Sequence, residues 1–151
     1  MSVPFRFRLE RVRALRERKE ELARVELAEA MSRLTDSEDR MRAADERLAQ
    51  AREDHRSAAG TGATSGADMR ASQAYLERIE QQRSRGAQEM RRSRSEVDDR
   101  NVLLGRARQE HEMLERLKER QRGEHLREIA RREVKALDEL AIERFRRSAA
   151  C

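Results

Sequence analysis

The chain has 151 residues, of which 43% are charged and only 3% aromatic, and it contains no tryptophan. This composition is typical of long helices and coiled coils and excludes the large apolar core of an ordinary globular domain. The net charge of +5 comes from 35 basic and 30 acidic residues mixed at short range. Because a nucleic-acid-binding protein usually has a segregated basic face, we expect no nucleic-acid partner.

The first predicted helix covers residues 5–58. The apolar face of its first part consists of Phe5, Leu9, Val12, Leu15, Leu22 and Val25, spaced three, four or seven apart as one helix face requires. A heptad follows at Leu27, Leu34, Met41, Leu48 and His55, with companions at Ala30, Ser37, Ala44, Ala51 and Ala58. We call this row, which would face a partner helix, the seam. The step from Val25 to Leu27 breaks the heptad, so we expect the supercoil to relax there.

Residues 59–67 are the predicted turn. Three of the six glycines lie at Gly60, Gly62 and Gly66, among threonines and a serine, and such residues favour turns over helices. Ser65 followed by Asp68 is typical of a helix N-cap with an acidic third residue, so the second helix should start at Asp68.

The second predicted helix covers residues 68–147. Its seam consists of Leu76, Met90, Val97, Leu104 and His111, with Arg83 interrupting, and of the companions Ile79, Gly86, Ser93, Arg100, Ala107 and Leu114. If the chain reverses near residue 63, residues from about 122 onward have no partner. Leu126, Ile129, Leu137, Leu140 and Phe145 would then be exposed, as at a partner-binding surface.

The predicted fold is therefore all-α: a long antiparallel two-helix coiled-coil hairpin with a projecting C-terminal helix, in one coiled-coil domain of residues 1–151. The chain start lacks the apolar core of a secretory signal, and no stretch has the roughly 18 apolar residues of a membrane-spanning helix. The single cysteine, Cys151, cannot form an intramolecular disulfide. We expect a cytoplasmic protein without direct membrane insertion.

No residues are spaced for catalysis or for metal binding. The three histidines lie far apart, and the glycines of the turn are not followed by the lysine and hydroxyl residue of a phosphate-binding loop. His55 and His111 fall on seam positions, where a partly buried polar residue sets the register. Since a hairpin also lacks an enclosed pocket, we expect no enzyme activity, metal or cofactor. Tyr75, the single tyrosine, lies beside the seam near the turn, where it is either a surface ring or an anchor for a partner.

Several stretches resemble the FliJ family, whose members are cytoplasmic components of the bacterial flagellar type III export apparatus. The start of the family is matched by residues 5–12, 15–22 and 26–30, and its C-terminal part by residues 114–121 and 130–141. The order also agrees: a Phe-x-Phe-x-Leu start, a Gly/Ser turn near residue 60 and a Leu-Asp-Glu-Leu-Ala close.

The resemblance implies a coiled-coil stalk whose joined terminal end binds the hexameric export ATPase and whose turn end binds the membrane export gate. Carried over by position, the ATPase-binding residues are Phe5, Leu9, Val12, Leu126, Ile129, Leu137, Leu140 and Phe145. The gate-binding residues are Leu48, Ala51, His55, Tyr75, Ile79 and Gly86. The family can have larger residues where Ala51, His55 and Gly86 stand. The resemblance also implies peripheral association with the membrane through the apparatus, a part in motility and chemotaxis, and export chaperones as further partners.

Two other interpretations of the sequence stay open. One is a generic coiled-coil scaffold or adaptor, including a parallel dimer without the hairpin, or the stalk of a related type III secretion system. The other is a coiled coil that binds nucleic acid through its excess of arginine, in which case binding would fall steeply with salt.

Overall fold

Two long helices make up the fold. The structure is a computed structural model that describes residues 4–62 and 65–149, in which α1 covers Glu10–Gly60 and α2 covers Gly66–Ala149, with no strand in these ranges. Alanine, leucine, arginine and glutamate, all strong helix formers, dominate both helices. The two helices pack against each other, which confirms the predicted all-α helical hairpin.

The helix boundaries differ from the prediction mainly at the start. α1 begins at Glu10 rather than at residue 5, and the Glu10 N–H donates to the Phe7 carbonyl at 3.2 Å. Leaving the helical path allows the Phe7 ring to be buried, with 8% of its surface exposed, and this burial stabilises the non-helical lead. α2 ends at Ala149, and Cys151 lies outside the described residues.

The turn is shorter than predicted, because α1 continues to Gly60 and α2 begins at Gly66. Gly62 has a φ of 62°, the left-handed region that only glycine adopts without a steric penalty. The Asp68 N–H donates to the Ser65 Oγ at 3.2 Å, and that hydroxyl donates to the Asp68 carboxylate at 2.6 Å. This confirms the predicted N-cap; positions 63 and 64 lie outside the described residues.

The chain divides into two compact units. The central unit is Glu21–Gly105, and the terminal unit combines Met1–Glu20 with Arg106–Cys151. The single coiled-coil domain of residues 1–151 stays a prediction.

In the central unit the predicted seam is confirmed. Its core is the cluster Leu48, Ala51, Leu76 and Ile79, whose side chains are all buried. The other predicted seam positions of this unit are buried or half-buried, apart from the interrupting Arg83, which is exposed. Ion pairs between the helices fix the antiparallel alignment, among them Arg52 with Glu80 at 2.9 Å, Arg33 with Glu96 at 2.6 Å and Arg100 with Glu26 at 2.6 Å.

The apolar face predicted for the first part of α1 does not lie in the seam. Leu9, Val12 and Leu15 are exposed in the terminal unit, as are Leu22 and Val25 in the central unit. Counted back by sevens from Leu27, the seam instead continues without a break through Glu20, which is buried, and Arg13, which is half-buried. The strong heptad from Leu27 onward fixes the rotation of a continuous helix, so the earlier apolar residues turn outward. The expected relaxation of the supercoil at that step stays a prediction.

Candidate partner-binding surfaces

The C-terminal part of α2 carries an exposed apolar surface. Every residue from 130 to 149 is exposed. We define the C-terminal apolar surface as Val134, Leu137, Leu140, Ile142 and Phe145. The exposed fractions of Leu137, Leu140 and Phe145 are 66%, 57% and 74%, which is unusual for large apolar residues in water. Of the other predicted residues, Leu126 is exposed and Ile129 is half-buried.

The N-terminal lead packs on α2 at the point where this surface begins. The Phe5 and His125 ring centroids lie 5.7 Å apart, so α2 has a partner as far as His125, slightly beyond the predicted limit of about residue 122. Leu137 lies a further 12 residues along the helix, about 18 Å at the α-helical rise. The structure thus places Phe5 against His125, one residue before the predicted Leu126, while every residue from 130 to 149 is exposed.

Phe7, the buried aromatic residue of the lead, does not belong to the predicted apolar face. The spacing of Phe5 and Phe7 is the signal that could have located it. Residues two apart share a face of extended chain and point in different directions on a helix. The pattern therefore indicates an extended lead before the first helix.

Charged residues fill the seam of the terminal unit. Lys118 pairs with Glu10 at 2.9 Å and Arg13 with Glu115 at 2.6 Å. Hydrogen bonds from Lys118 and then Arg13 lower the pKa of Glu10, and the Arg13 guanidinium lowers the pKa of Glu115. The hydrogen bonds that Arg13 donates to Glu10 and, with a smaller effect, to Glu115 raise the pKa of Arg13. These carboxylates therefore stay charged below the usual range of glutamate.

His111 occupies its predicted seam position beside these pairs. Its Nδ1 lies 2.7 Å from Oε2 of Glu20, a carboxylate that is 6% exposed. Its Nε2 is buried without a hydrogen bond and lies 3.4 Å from Oε1 of Glu115. The histidine thus sets the register of this seam through a polar contact.

Most of the residues predicted to bind the export gate lie inside the central unit. Leu48, Ala51 and Ile79 belong to its buried core. The Nδ1 of His55 lies 2.8 Å from the Ser72 hydroxyl, and this pair is partly buried. Their role in gate binding stays a prediction, but in this hairpin these side chains stabilise the helix pair and do not face outward.

Tyr75 and Gly86 are the more accessible members of that set. The Tyr75 side chain is 48% exposed, as expected for a position beside the seam. Gly86 is half-buried, and a Cβ built there would lie 3.7 Å from the Met41 sulfur, an ordinary contact. Of these two, Tyr75 is the residue that presents a side chain to a partner.

The described residues offer no site for a metal ion, since they contain no group of three or more His, Cys, Asp or Glu able to hold one. Within residues 4–62 and 65–149, neither helix has an apolar stretch long enough to cross a membrane. The candidate sites for a partner are therefore two exposed features: the C-terminal apolar surface and Tyr75 near the turn.

The fold defines a coiled-coil-like helical hairpin with exposed apolar side chains. The family Flagellar FliJ protein matches residues 5–150, almost the whole chain. The chain belongs to the FliJ family and is a component of the flagellar protein export apparatus. The family is not a known enzyme family. Searches of the curated proteins and of the solved structures gave no match.

Proposed function

We propose that this chain is the non-enzymatic stalk that couples the export ATPase to the export gate in the cytoplasm. Its C-terminal apolar surface binds the hexameric ATPase, and its turn end binds the gate at the cytoplasmic side of the membrane. The stalk promotes ATPase assembly and turnover, and so supports flagellar protein export and motility.

The exposure of Leu137, Leu140 and Phe145 carries this proposal. A lone helix in water gains nothing from three large apolar residues, whereas a partner groove would remove their surface from water at about 25 cal/mol per Å². The rest of the segment is strongly charged and keeps it soluble until it binds. Family membership supports the export ATPase as the partner, because this end of the chain resembles the end of FliJ proteins that engages it.

The test replaces Leu137 and Leu140 with aspartate and measures the ATP hydrolysis rate of the cognate export ATPase. We expect wild type to co-elute with the ATPase and stimulate it, and L137D/L140D to do neither while it remains helical by circular dichroism. The loss follows because burying two carboxylates in an apolar groove is costly.

A matched control separates apolar contact from charge. The variant R132Q/R146Q also lowers the net charge by two, at exposed positions that lie about 100° or more around the helix from Leu137 and Phe145. It should stimulate the ATPase as wild type does. Unchanged stimulation by L137D/L140D would remove the ATPase half of the proposal.

For the gate half, the test residue is Tyr75, because a polar residue at the buried Leu48 would unfold the hairpin. Tyr75→Ser should weaken binding to the cytoplasmic domain of the gate by about tenfold, as expected for a tyrosine anchor. The control Gln81→Ser changes another exposed residue of α2 and should bind normally. Equal affinities of the two variants would count against Tyr75 as an anchor.

A further inference from the structure

A shallow groove lies beside the seam of the central unit. Ala43 and Ala44 of α1 and Ile79 and Gly86 of α2 form its floor, and its volume is about 440 Å³. The groove exists because the residues here are small and because Arg83, on the seam position between Ile79 and Gly86, extends outward to Asp45. A larger apolar residue at position 83 or 86 would fill this space.

The rim of this groove is basic. Arg40, Arg47 and Arg85 line it, and none of the three forms an ion pair within residues 4–62 and 65–149. Other arginines of the central unit are paired across the helices: Arg52 with Glu80, Arg33 with Glu96, Arg83 with Asp45 and Arg100 with Glu26. One carboxylate, Glu89, lies at the groove, so its lining residues carry a net charge of +2, three arginines against one glutamate. Arg40 donates from Nε to the Asp36 carbonyl at 3.3 Å, but it has no carboxylate partner. Guanidinium groups without a carboxylate partner around an apolar floor are the complement of an acidic, partly apolar ligand.

We propose that this groove binds an acidic amphipathic segment of a partner protein. The segment places apolar side chains on the floor formed by Ala43, Ala44 and Gly86. Its carboxylates pair with the rim arginines, whose planar donor groups match the two oxygens of a carboxylate. This is the helix-in-groove mode of recognition, with apolar anchors giving burial and charges giving orientation.

The floor favours a protein segment over a nucleic acid or a lipid surface. Single-stranded nucleic acids bind on aromatic side chains that stack with the bases, and no aromatic residue lines this groove. A membrane surface is flat and cannot reach a recessed floor of alanine and glycine. The side chains that protrude from a helical segment can reach this floor.

The inference rests on the proposed function for the identity of the partner, because Ile79 and Gly86 also belong to the predicted gate-binding set. The occupant would then be an acidic segment of the gate. The chemistry of the groove does not depend on that identity, and the two can be tested apart.

The experiment compares two triple variants with the same change in charge. R40E/R47E/R85E reverses the rim, whereas R18E/R91E/R106E reverses three exposed arginines that do not line the groove and lie away from the turn. The probes are the cytoplasmic domain of the cognate gate and a synthetic amphipathic helical peptide with a glutamate-rich polar face. We expect the rim variant to bind both probes at least about tenfold more weakly than wild type, and the control variant to bind within about twofold.

A second variant tests the floor without changing charge. Ala43→Met fills the groove and should weaken binding of both probes by about fivefold. If the rim variant loses its helical circular dichroism, Ala43→Met still tests the groove, because this variant changes no charge. Wild-type affinity in Ala43→Met would overturn the floor as a contact.

The outcomes separate the groove from the gate. Equal affinity of the two triple variants for both probes overturns the groove and leaves the gate as a partner. Arginine-dependent binding of the acidic peptide without binding of the gate domain supports the groove and overturns the gate half of the proposed function. Stronger binding of a lysine-rich peptide, a single-stranded oligonucleotide or anionic lipid vesicles than of the acidic peptide overturns the assignment of an acidic protein segment.

Discussion

The two units use the same heptad spacing, but α1 supplies mainly apolar residues to one seam and charged residues to the other. In the central unit, Leu48, Leu76 and Ile79 fill the seam and are 5–8% exposed. In the terminal unit, Arg13 and Glu20 stand on the seam positions of α1, beside the half-buried His111 and Leu114 of α2, and Leu9, Val12 and Leu15 are exposed. The difference shows that the position of an apolar residue in this chain is decided by the register of the whole helix. It also leaves apolar surface available to other molecules.

The two kinds of seam differ in how much they stabilise. Burying a leucine or isoleucine side chain contributes about 1.5–3 kcal/mol. A partly exposed ion pair contributes about 0–1 kcal/mol, because water solvates the separated charges well. We therefore expect the central unit to carry most of the stability, and the following changes test that comparison in order of decreasing effect.

The largest effect should come from Leu48→Ala in the core of the central unit. The lost burial and the cavity should lower the free energy of unfolding by about 2–4 kcal/mol. The measurement is the midpoint of urea-induced loss of helicity. Leu22→Ala is the matched control, since this leucine is exposed in the same unit, and it should change stability by no more than about 0.5 kcal/mol. Similar losses in both variants would contradict the assigned register.

In the terminal unit, the double change of Glu20 and His111 to leucine should raise the free energy of unfolding by about 1–2 kcal/mol. Removing a buried polar pair together and filling the space with apolar groups is often stabilising. Glu20→Leu alone should destabilise, because it leaves the His111 Nδ1 without its partner. A thermodynamic cycle of the wild type, both single variants and the double variant measures this coupling. If the double variant is less stable than both single variants, the prediction is wrong, and the contact between Glu20 and His111 stabilises the unit more than apolar side chains would.

A smaller effect is expected at the turn. Ser65→Ala removes the acceptor of the Asp68 N–H and should lower stability by about 1 kcal/mol. Ser65→Asp restores an acceptor and should behave as wild type. Hydrogen exchange of the first turn of α2 should be faster in Ser65→Ala, and equal exchange in the alanine and aspartate variants would show that the cap does not hold the turn.

The smallest change in stability per residue should come from protonating the paired glutamates at low pH. The folded-state pKa values of Glu10, Glu96 and Glu115 lie below the ordinary 4.5, because Lys118, Arg33 and Arg13 respectively hydrogen-bond to them. Their contribution is therefore fully present above pH 4.5 and is lost as the pH falls through the folded-state values. Urea midpoints at neutral pH and below pH 4.5 measure it. E10Q/E115Q should have a flatter acid dependence, and an unchanged dependence would show that these pairs do not couple to stability.

From Leu27 onward the sequence alone predicted the seam correctly, because one heptad pattern repeats over several turns and small companions alternate with it. Before Leu27 the apolar residues leave the heptad, and the structure exposes Leu9, Val12, Leu15, Leu22 and Val25. A continuous helix has one rotation, and the longer heptad decided it. Counting back by sevens from Leu27 to Glu20 and Arg13 would have given the observed seam.

The C-terminal apolar surface was also predictable, since the unequal lengths of the two helices leave Leu137, Leu140 and Phe145 without a partner. The basic groove was not. The groove depends on the direction of the Arg83 side chain, which pairs with Asp45, and on which arginines have no carboxylate partner. The spacing of residues in the sequence determines neither of these. The non-helical lead was missed because Phe5 and Leu9 also have helical spacing.

The solitary tyrosine gives the molecule a built-in optical reporter. Tyr75 is the single tyrosine of a chain without tryptophan, it is half exposed, and it lies one helical turn before Ile79 at the groove. Emission excited at the tyrosine band therefore originates from one site near the turn. A ligand that covers the turn end should alter this emission, whereas an ATPase bound at the far end of α2 should not. Near-ultraviolet absorbance is correspondingly weak, so concentrations are better measured from the peptide bond.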